Sequence, residues 1–473
     1  MSYSKNPPLP TSLREITQIA VPVSLEFVLI LVLNFANQIV VANLGDTAIA
    51  AVGFANSINF IFTMTLSALG ASVAILVARA FGARKLGDVN AIVTVATVAS
   101  VVFSLVVLTP IALFPAELLA FSGASAGVTA MGSSFLAISM LALPFAVVAA
   151  ALSGALRSAG HPRSPMVATL ATVALNVPLA LVLVFGWGPI PALGIDGAAW
   201  ATLITAVAKA GVLWAQTFPV YRVARWEVPR GMHAWGLVMA PLLTLAAPIA
   251  LQTSFWTTGN FMYNIVVAQL GDEALAAANI LTALENVFIV ASLGLISAVT
   301  ALVGRAIGAG EGALAEAWVG RIRRIGFLSG AVFGVLFAAT AFAVTSMFPT
   351  VTPLVITYIV TGILANAAMQ PIKVQNGLHG GGILPSAGDL RGVLITDFAS
   401  PFLVGLPLAI ATVAFTDWGF YGIIGARLVE EVAKYTLFRW RARGLNWVAL
   451  AKTPTVEMAA VTDDDPQPLL GQA

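Results

Sequence analysis

Charge is what this chain has least of. Asp, Glu, Lys and Arg make up 9% of its 473 residues, against about 25% in soluble domains, which excludes a water-exposed fold. Cysteine is absent, so there are no disulfides, iron–sulfur clusters or thiolate metal sites, and the compartment stays undecided. Three histidines leave little for a metal centre, and none is expected. No Walker-type phosphate loop, HExxH motif or catalytic triad is visible, so the chain does not read as an enzyme. An ATP-driven pump needs a soluble nucleotide-binding domain, and no stretch supplies one. What is abundant is apolar sequence: 59% of residues, with a mean hydropathy of +0.94. The N-terminus lacks the short apolar core and cleavage site of a signal peptide and runs into a full span, so it reads as mature protein.

Stretches long enough to cross the hydrocarbon core, about 20 residues, fall at 15–42, 47–78, 90–113, 125–153, 164–187 and 194–220. A second set falls at 238–269, 273–304, 322–347, 351–381, 392–413 and 418–440. This predicts an all-α integral membrane protein of twelve transmembrane helices. Its divisions are an N-terminal segment (1–14), a six-helix bundle (15–221), a polar linker (222–237), a second bundle (238–443) and a disordered tail (444–473).

The two bundles are homologous. Residues 22–83 return without a gap as 248–309, with 23 of 62 positions identical, among them Pro22/Pro248, Asn34/Asn260, Gly45/Gly271, Arg79/Arg305 and Gly82/Gly308. Further on, Gly154-Ala-Leu-Arg-Ser-Ala-Gly160 returns as Gly382-Ile-Leu-Pro-Ser-Ala-Gly388, with Pro144 and Pro371 at matching depth before them. Six helices per half send both halves into the membrane from the same side. They are then related by a pseudo-twofold along the membrane normal, and a transporter with its site between them is the expected use.

Orientation follows from the basic residues. One set of connections carries Arg79, Arg84, Lys85, Arg157, Arg163, Arg222, Arg225, Arg230, Arg305, Arg321, Arg323, Arg324 and Arg391. The alternate set carries Asp46, Glu117, Asp196, Asp272, Glu273 and Asp417 and no Lys or Arg. By the positive-inside rule the first set and both termini are cytoplasmic.

A charge at the bilayer centre costs a few kcal/mol, about 2.5–3.5 on insertion scales, so each buried ionisable group needs a reason. Glu26 lies about 15 Å into helix 1, and Asn37 returns to nearly the same face, with Asn34 on the flank. Their repeat mates Gln252, Tyr263 and Asn260 keep helix 7 polar without the acid. The stripe has two readings, a shared cavity or interhelical hydrogen bonding within each half. Glu285, beside Asn286 in helix 8, has no basic neighbour in sequence and is protonated, ion-bound or paired across helices; its mate is Asn59. Asp397, in helix 11, is shallower, and Asp389 lies in the loop before it. Arg427, Glu430, Glu431 and Lys434 share one face of helix 12 at spacings that predict a self-neutralising network. Lys209 and Lys434 read as snorkelling mates, whereas Lys373 is deep enough to serve an acid across the bundle. Met64, Phe255, Trp256, Tyr263 and other aromatics near the stripes suit either the core or a wall for planar organic cations.

These passages resemble the multidrug and toxic compound extrusion (MATE) family. The resemblance is carried by "IVVANLGDTAIAAVGFA" and its twin "IVVAQLGDEALAAANIL", by "ARAFGARKLGDV" and "GRAIGAGEGALAEA", by "GALRSAGHPRSP" and "GILPSAGDLRGV", and by "GIDGAAWATLI" and "YGIIGARLVEE". It spans about residues 15–440 and implies two bundles around a lumen, with export of organic, often cationic compounds against inward sodium or proton flow. Two features depart from the family pattern. The helix 1 aspartate of many bacterial members is here Asn37, and Arg157 of the first "LRSAG" loop faces Pro385 in the second. Helix 7 has Trp256 near the place of an acid that some members use.

The expectation is therefore a secondary antiporter in the plasma (inner) membrane, working as a monomer. Its partners are small organic cations or amphipathic molecules and the lipid bilayer, without nucleic acid. No cofactor is expected beyond H⁺ or Na⁺ as coupling ion. Glu26, Asn37, Glu285 and Asp397 are the candidate cation-coupling residues. Asn34, Met64, Gln252, Trp256, Asn260, Tyr263, Asn286 and Lys373 are the candidate substrate contacts. A flippase for lipid-linked oligosaccharides is the alternative; it favours a strongly basic lumen, for which Lys373, Lys209 and Arg427 are the candidates. A major-facilitator symporter is disfavoured by the glycine-rich loops of the repeat, and a receptor or scaffold by the buried acids.

Overall fold

The computed structural model describes residues 11–349 and 351–452. The start of the expected N-terminal segment and residues 453–473 of the expected disordered tail (444–473) lie outside the described residues, and within that tail Trp447–Lys452 is helical. Among the described residues, eleven helices are long and apolar enough to span a bilayer. In the first half these are α1 (Leu13–Ala42), α2 (Asp46–Gly82), α3 (Leu86–Leu113), α4 (Ala126–Ser158), α5 (Arg163–Phe185) and α6 (Ile195–Val220). In the second they are α7 (Met232–Ala268), α8 (Asp272–Gly308), α9 (Gly312–Thr340), α10 (Pro353–Ala387) and α11 (Leu390–Phe415). α12 (Gly419–Arg443) completes the set with 25 residues. Arg427, Glu430, Glu431 and Lys434 make it too charged to qualify by composition, but its length suffices. The twelve-helix, two-lobe architecture matches the expectation.

Local chemistry sets the helix ends. Ser12 caps α1 by accepting the Arg14 N–H at 3.1 Å. The tight turns before α2 and α8 need φ of 99° at Gly45 and 100° at Gly271, which only glycine adopts without strain. α2, α7 and α8 each run 37 residues, about 55 Å at the helical rise, well beyond the hydrocarbon core. α9 starts at Gly312, ten residues before the predicted boundary. Arg321, Arg323 and Arg324 lie inside this helix, because the chain stays helical while leaving the apolar layer. Two short helices, Pro115–Phe121 and Trp447–Lys452, were not expected.

The first helix of each lobe begins against the other lobe. Ile16, Ile19, Ala20 and Val23 of α1 share a core with Leu295, Val299 and Leu302 of α8. Val238 and Leu242 of α7 share one with Val89 and Ile92 of α3. These contacts gather at the end of the molecule that carries the basic connections.

Candidate functional site

At the basic end the lobes are locked by a reciprocal pair. Arg79 of α2 donates to the Ser386 carbonyl at 2.6 Å, and its repeat mate Arg305 of α8 donates to the Ser158 carbonyl at 2.7 Å. Each arginine thus caps the last turn of the opposite lobe's "SAG" helix, where carbonyls lack intrahelical partners. α2 and α8 touch backbone to backbone here: a Cβ on Gly82 would lie 2.1 Å from the Arg305 carbonyl oxygen, and one on Gly308 2.0 Å from that of Arg79.

Further from this end the same faces are uncovered. At about 100° per residue, the α2 face of Ala78 and Gly82 continues through Met64, Phe60, Ser57 and Gly53, all exposed. The α8 face of Gly304 and Gly308 continues through Asn286, Ala283 and Asn279, also exposed. Gly53/Asn279, Ser57/Ala283 and Phe60/Asn286 are repeat mates. The lobes are therefore closed at the basic end and parted toward the acidic end, with a cleft lined by equivalent positions of both halves. Met64 and Asn286, two predicted substrate contacts, lie on it. Asn34 is exposed on the α1 face that continues from Ala20.

Glu285 is turned about 100° away from Asn286 and forms an ion pair with Lys373 of α10. Lys373 also donates to Asn366 Oδ1 at 2.5 Å. The pair is mostly buried, one residue from the cleft wall, and joins the two deep charges that sequence alone left without partners.

The rest of the second lobe holds a continuous polar network. Arg427 donates to Asn260 at 2.7 Å and lies over the Tyr263 ring, 4.2 Å from its centroid. Tyr263 donates its hydroxyl to Glu430 at 2.5 Å, an approach that Gly405 permits because a Cβ there would be 2.2 Å from the hydroxyl oxygen. Asn376 donates to the Glu431 carboxylate at 2.7 Å. Asp397 lies 2.5 Å from Lys434 Nζ and accepts from Gln252 at 2.6 Å. The α12 charges thus pair with α7, α10 and α11, and among the described residues no ion pair joins them to each other. The network expected along one face of α12 is present as electrostatic coupling of Glu430 with Arg427 and of Lys434 with Glu430 and Glu431, and it extends between helices because the face is buried against neighbours that carry complementary groups. Lys434 is likewise paired inside its lobe instead of snorkelling.

In the first lobe Glu26 is 5% exposed. It lies 3.8 Å from Arg157 Nη1 and 3.9 Å from Lys209 Nζ, and accepts a long 3.4 Å hydrogen bond from Thr169. Its Oε2 accepts no hydrogen bond among the described residues. Lys209, expected to snorkel, is held in this cluster. Asn37 is half-buried, with its Oδ1 also unbonded. Glu26, Gln252 and Tyr263 bond within their own lobes, as in the interhelical reading. Trp256 is exposed, one turn from Gln252 and from Asn260.

Thr169, Asn366, Asn376 and the Arg79–Ser386 and Arg305–Ser158 pairs were not anticipated. The signal was in the repeat: Thr169 is the mate of Asp397, and Arg79 that of Arg305.

The MatE family model matches residues 22–182 and again 248–411, one match per lobe in the register of the internal repeat. The chain belongs to the MatE family of membrane transporters. A probable multidrug resistance protein NorM from Thermotoga maritima is 24% identical over 450 residues, covering 92% of this chain and 93% of that one. A second, from Deinococcus radiodurans, is 28% identical over 78% of this chain and 81% of its own length. A solved structure described as the outward-facing conformation of a multidrug resistance MATE family transporter superposes with a TM-score of 0.83 at 20% identity. It covers 93% of this chain and 96% of its own.

Proposed function

We propose that the protein is a secondary active antiporter that exports organic, often cationic, drugs or toxic compounds across the cytoplasmic membrane against inward flow of H⁺ or Na⁺. The observation that carries this is the Glu285–Lys373 pair beside a cleft open at one end only. The basic end is cytoplasmic, so the state described here opens outward. The two NorM relatives, named as probable multidrug resistance proteins, support the same substrate class.

The chemistry follows from sharing one carboxylate. A cationic solute reaching Glu285 from the cleft competes with the Lys373 ammonium. A proton taken by Glu285 removes the counter-charge both of them use, and Asn366 holds Lys373 meanwhile. Proton and solute therefore exclude each other. If one occupant stabilises the outward-open state and the other the inward-open state, net exchange results. H⁺ fits better than Na⁺, since Glu285 is met by the Lys373 ammonium and not by a cage of oxygens. Glu26 is less suited, because a proton there would leave Arg157 and Lys209 unopposed. Both lobes and the cleft belong to one chain, so a monomer suffices. The basic groups a pyrophosphate flippase would use are engaged elsewhere: Lys373 by Glu285, Lys209 by Glu26, and Arg427 by Asn260 and Tyr263.

The test is efflux of a fluorescent organic cation from proteoliposomes under an H⁺ or a Na⁺ gradient imposed separately. Drive by one gradient supports the reading; drive by neither refutes it.

A further inference from the structure

The two buried clusters are one site in two charge arrangements. Glu26, Thr169 and Lys209 stand on the first, fifth and sixth helices of their lobe, and their repeat mates Gln252, Asp397 and Lys434 stand on the same helices of the other. In each lobe a lysine, a carboxylate and a neutral hydrogen-bonding side chain meet. The carboxylate has moved from the first helix to the fifth, and the neutral group has moved the other way. The lysine has stayed, in the shared tripeptide Val207-Ala208-Lys209 and Val432-Ala433-Lys434.

The clusters differ in charge balance. In the second lobe Lys434 and Asp397 are 2.5 Å apart, Gln252 fills the second carboxylate oxygen at 2.6 Å, and Pro385 occupies the place of an arginine. In the first lobe Arg157 is present as well, so two cations share one carboxylate, neither within hydrogen-bonding distance of it. The elements packed on α6 are α1, α4 and α5. From them the charged groups facing Lys209 are Glu26 and Arg157, while α5 contributes the neutral Thr169. On α6 itself Asp196 stands thirteen residues away at the other end. Among the described residues no second carboxylate lies within ion-pair distance of either cation. A net positive charge buried in an apolar bundle is costly, and arginine does not give up its proton. The lysine is the member that can.

We propose that Lys209 is a proton-exchanging group of the first lobe, an ammonium when the site reaches water and a neutral amine when it does not. The proton passes to water on release and returns from it on uptake, and Arg157 and Glu26 remain as a neutral pair in between. Lys434, paired with Asp397 and also facing Glu430 and Glu431 of its own helix, stays charged throughout. This deepens the antiport reading by adding a second proton site, on a lysine and in the other lobe from Glu285.

Solid-state NMR of the transporter labelled with ¹⁵Nζ-lysine in lipid tests it without requiring transport. The chain has six lysines, and the Lys209 signal is the one lost in Lys209→Gln. The expected result is conversion of that signal from ammonium to amine as pH is raised, while the Lys434 signal is still ammonium. In Arg157→Gln, where Glu26 and Lys209 balance, it should remain ammonium at the pH where the native signal has converted. Either a Lys209 signal that stays ammonium in the native protein or one that titrates unchanged in Arg157→Gln overturns the proposal. Failure of gradient-driven efflux would refute the antiport reading and leave this titration intact, so the two are separable.

Discussion

Glu285 and Glu26 both sit in apolar helices, and what surrounds each assigns it a different part. One has a single ammonium partner beside the open cleft; the other is held between two cations inside its lobe. Removing one partner of a buried pair strands the other's charge, at a cost of about 3–5 kcal/mol. Glu26→Gln alone is therefore expected to lower thermal stability sharply. Adding Thr169→Asp, which puts the carboxylate where the other lobe keeps it, should restore most of the loss. A double variant no more stable than Glu26→Gln would contradict the equivalence of the two sites.

Asp389, outside the spans, offers a pH test. Burial acts to raise its pKa, but hydrogen bonds from Arg441 at 2.7 and 3.0 Å and from the Gly392 N–H, with the arginine's charge, hold it below the ordinary carboxylate value. A depressed carboxylate contributes stability that is full above its unfolded pKa, about 3.9, and is lost as pH falls through the folded value. Asp389→Asn keeps the helix cap and removes the charge. Its melting temperature should fall below that of the native protein at pH 7, with the gap closing below about pH 4. An equal gap at both pH values would show that the pair does not act through charge.

At the scale of elements, the closed basic end is α2 lying on α8. Its geometry depends on two glycines and two arginines at repeat-related positions. A methyl at Gly82 or Gly308 meets opposing backbone, which cannot swing aside as a side chain can. Overpacking costs about 1–3 kcal/mol. Because that cost falls on the closed state alone, Gly82→Ala should move the closed–open balance by about 5- to 150-fold. Spin-label distances across the basic end in lipid would report this as a longer component at the expense of the short one. An unchanged distance distribution would mean that α2 and α8 do not set the closed state.

The α1–α2 and α7–α8 units could be read from sequence because a gapless repeat preserves every turn and cap. Helix α9 was mislocated, since hydropathy marks where lipid ends and helices continue past that point. The partners of Glu285 and Asp397 lie 88 and 37 positions away on other helices, a distance that periodicity along one helix does not bridge. The same limit applies to Arg427, Glu430, Glu431 and Lys434: their spacing shows that they share a face and act on one another, not which groups of α7, α10 and α11 pack on them. Only comparison of the halves carried such information, and Thr169 against Asp397 was its clearest unread instance.

At the scale of the whole molecule, two homologous lobes meet at one end, where Arg79 and Arg305 reach across, part toward the other, and keep their ion pairs within themselves. The cleft wall itself is lightly polar, with Asn279, Asn286 and Asn34 among apolar and aromatic side chains. Such a wall suits variable amphipathic solutes, and on the proposed reading Glu285, one residue from it, would favour cations. The central claim is that solute and proton compete for Glu285. Reverse exchange tests it most directly: proteoliposomes with no initial pH difference receive an outwardly or inwardly directed gradient of an organic cation, and the internal pH is followed. The account predicts that protons move opposite to the solute in the native protein, and that in Glu285→Gln the solute moves without them. Proton movement that persists in Glu285→Gln, or solute movement without protons in the native protein, would contradict it.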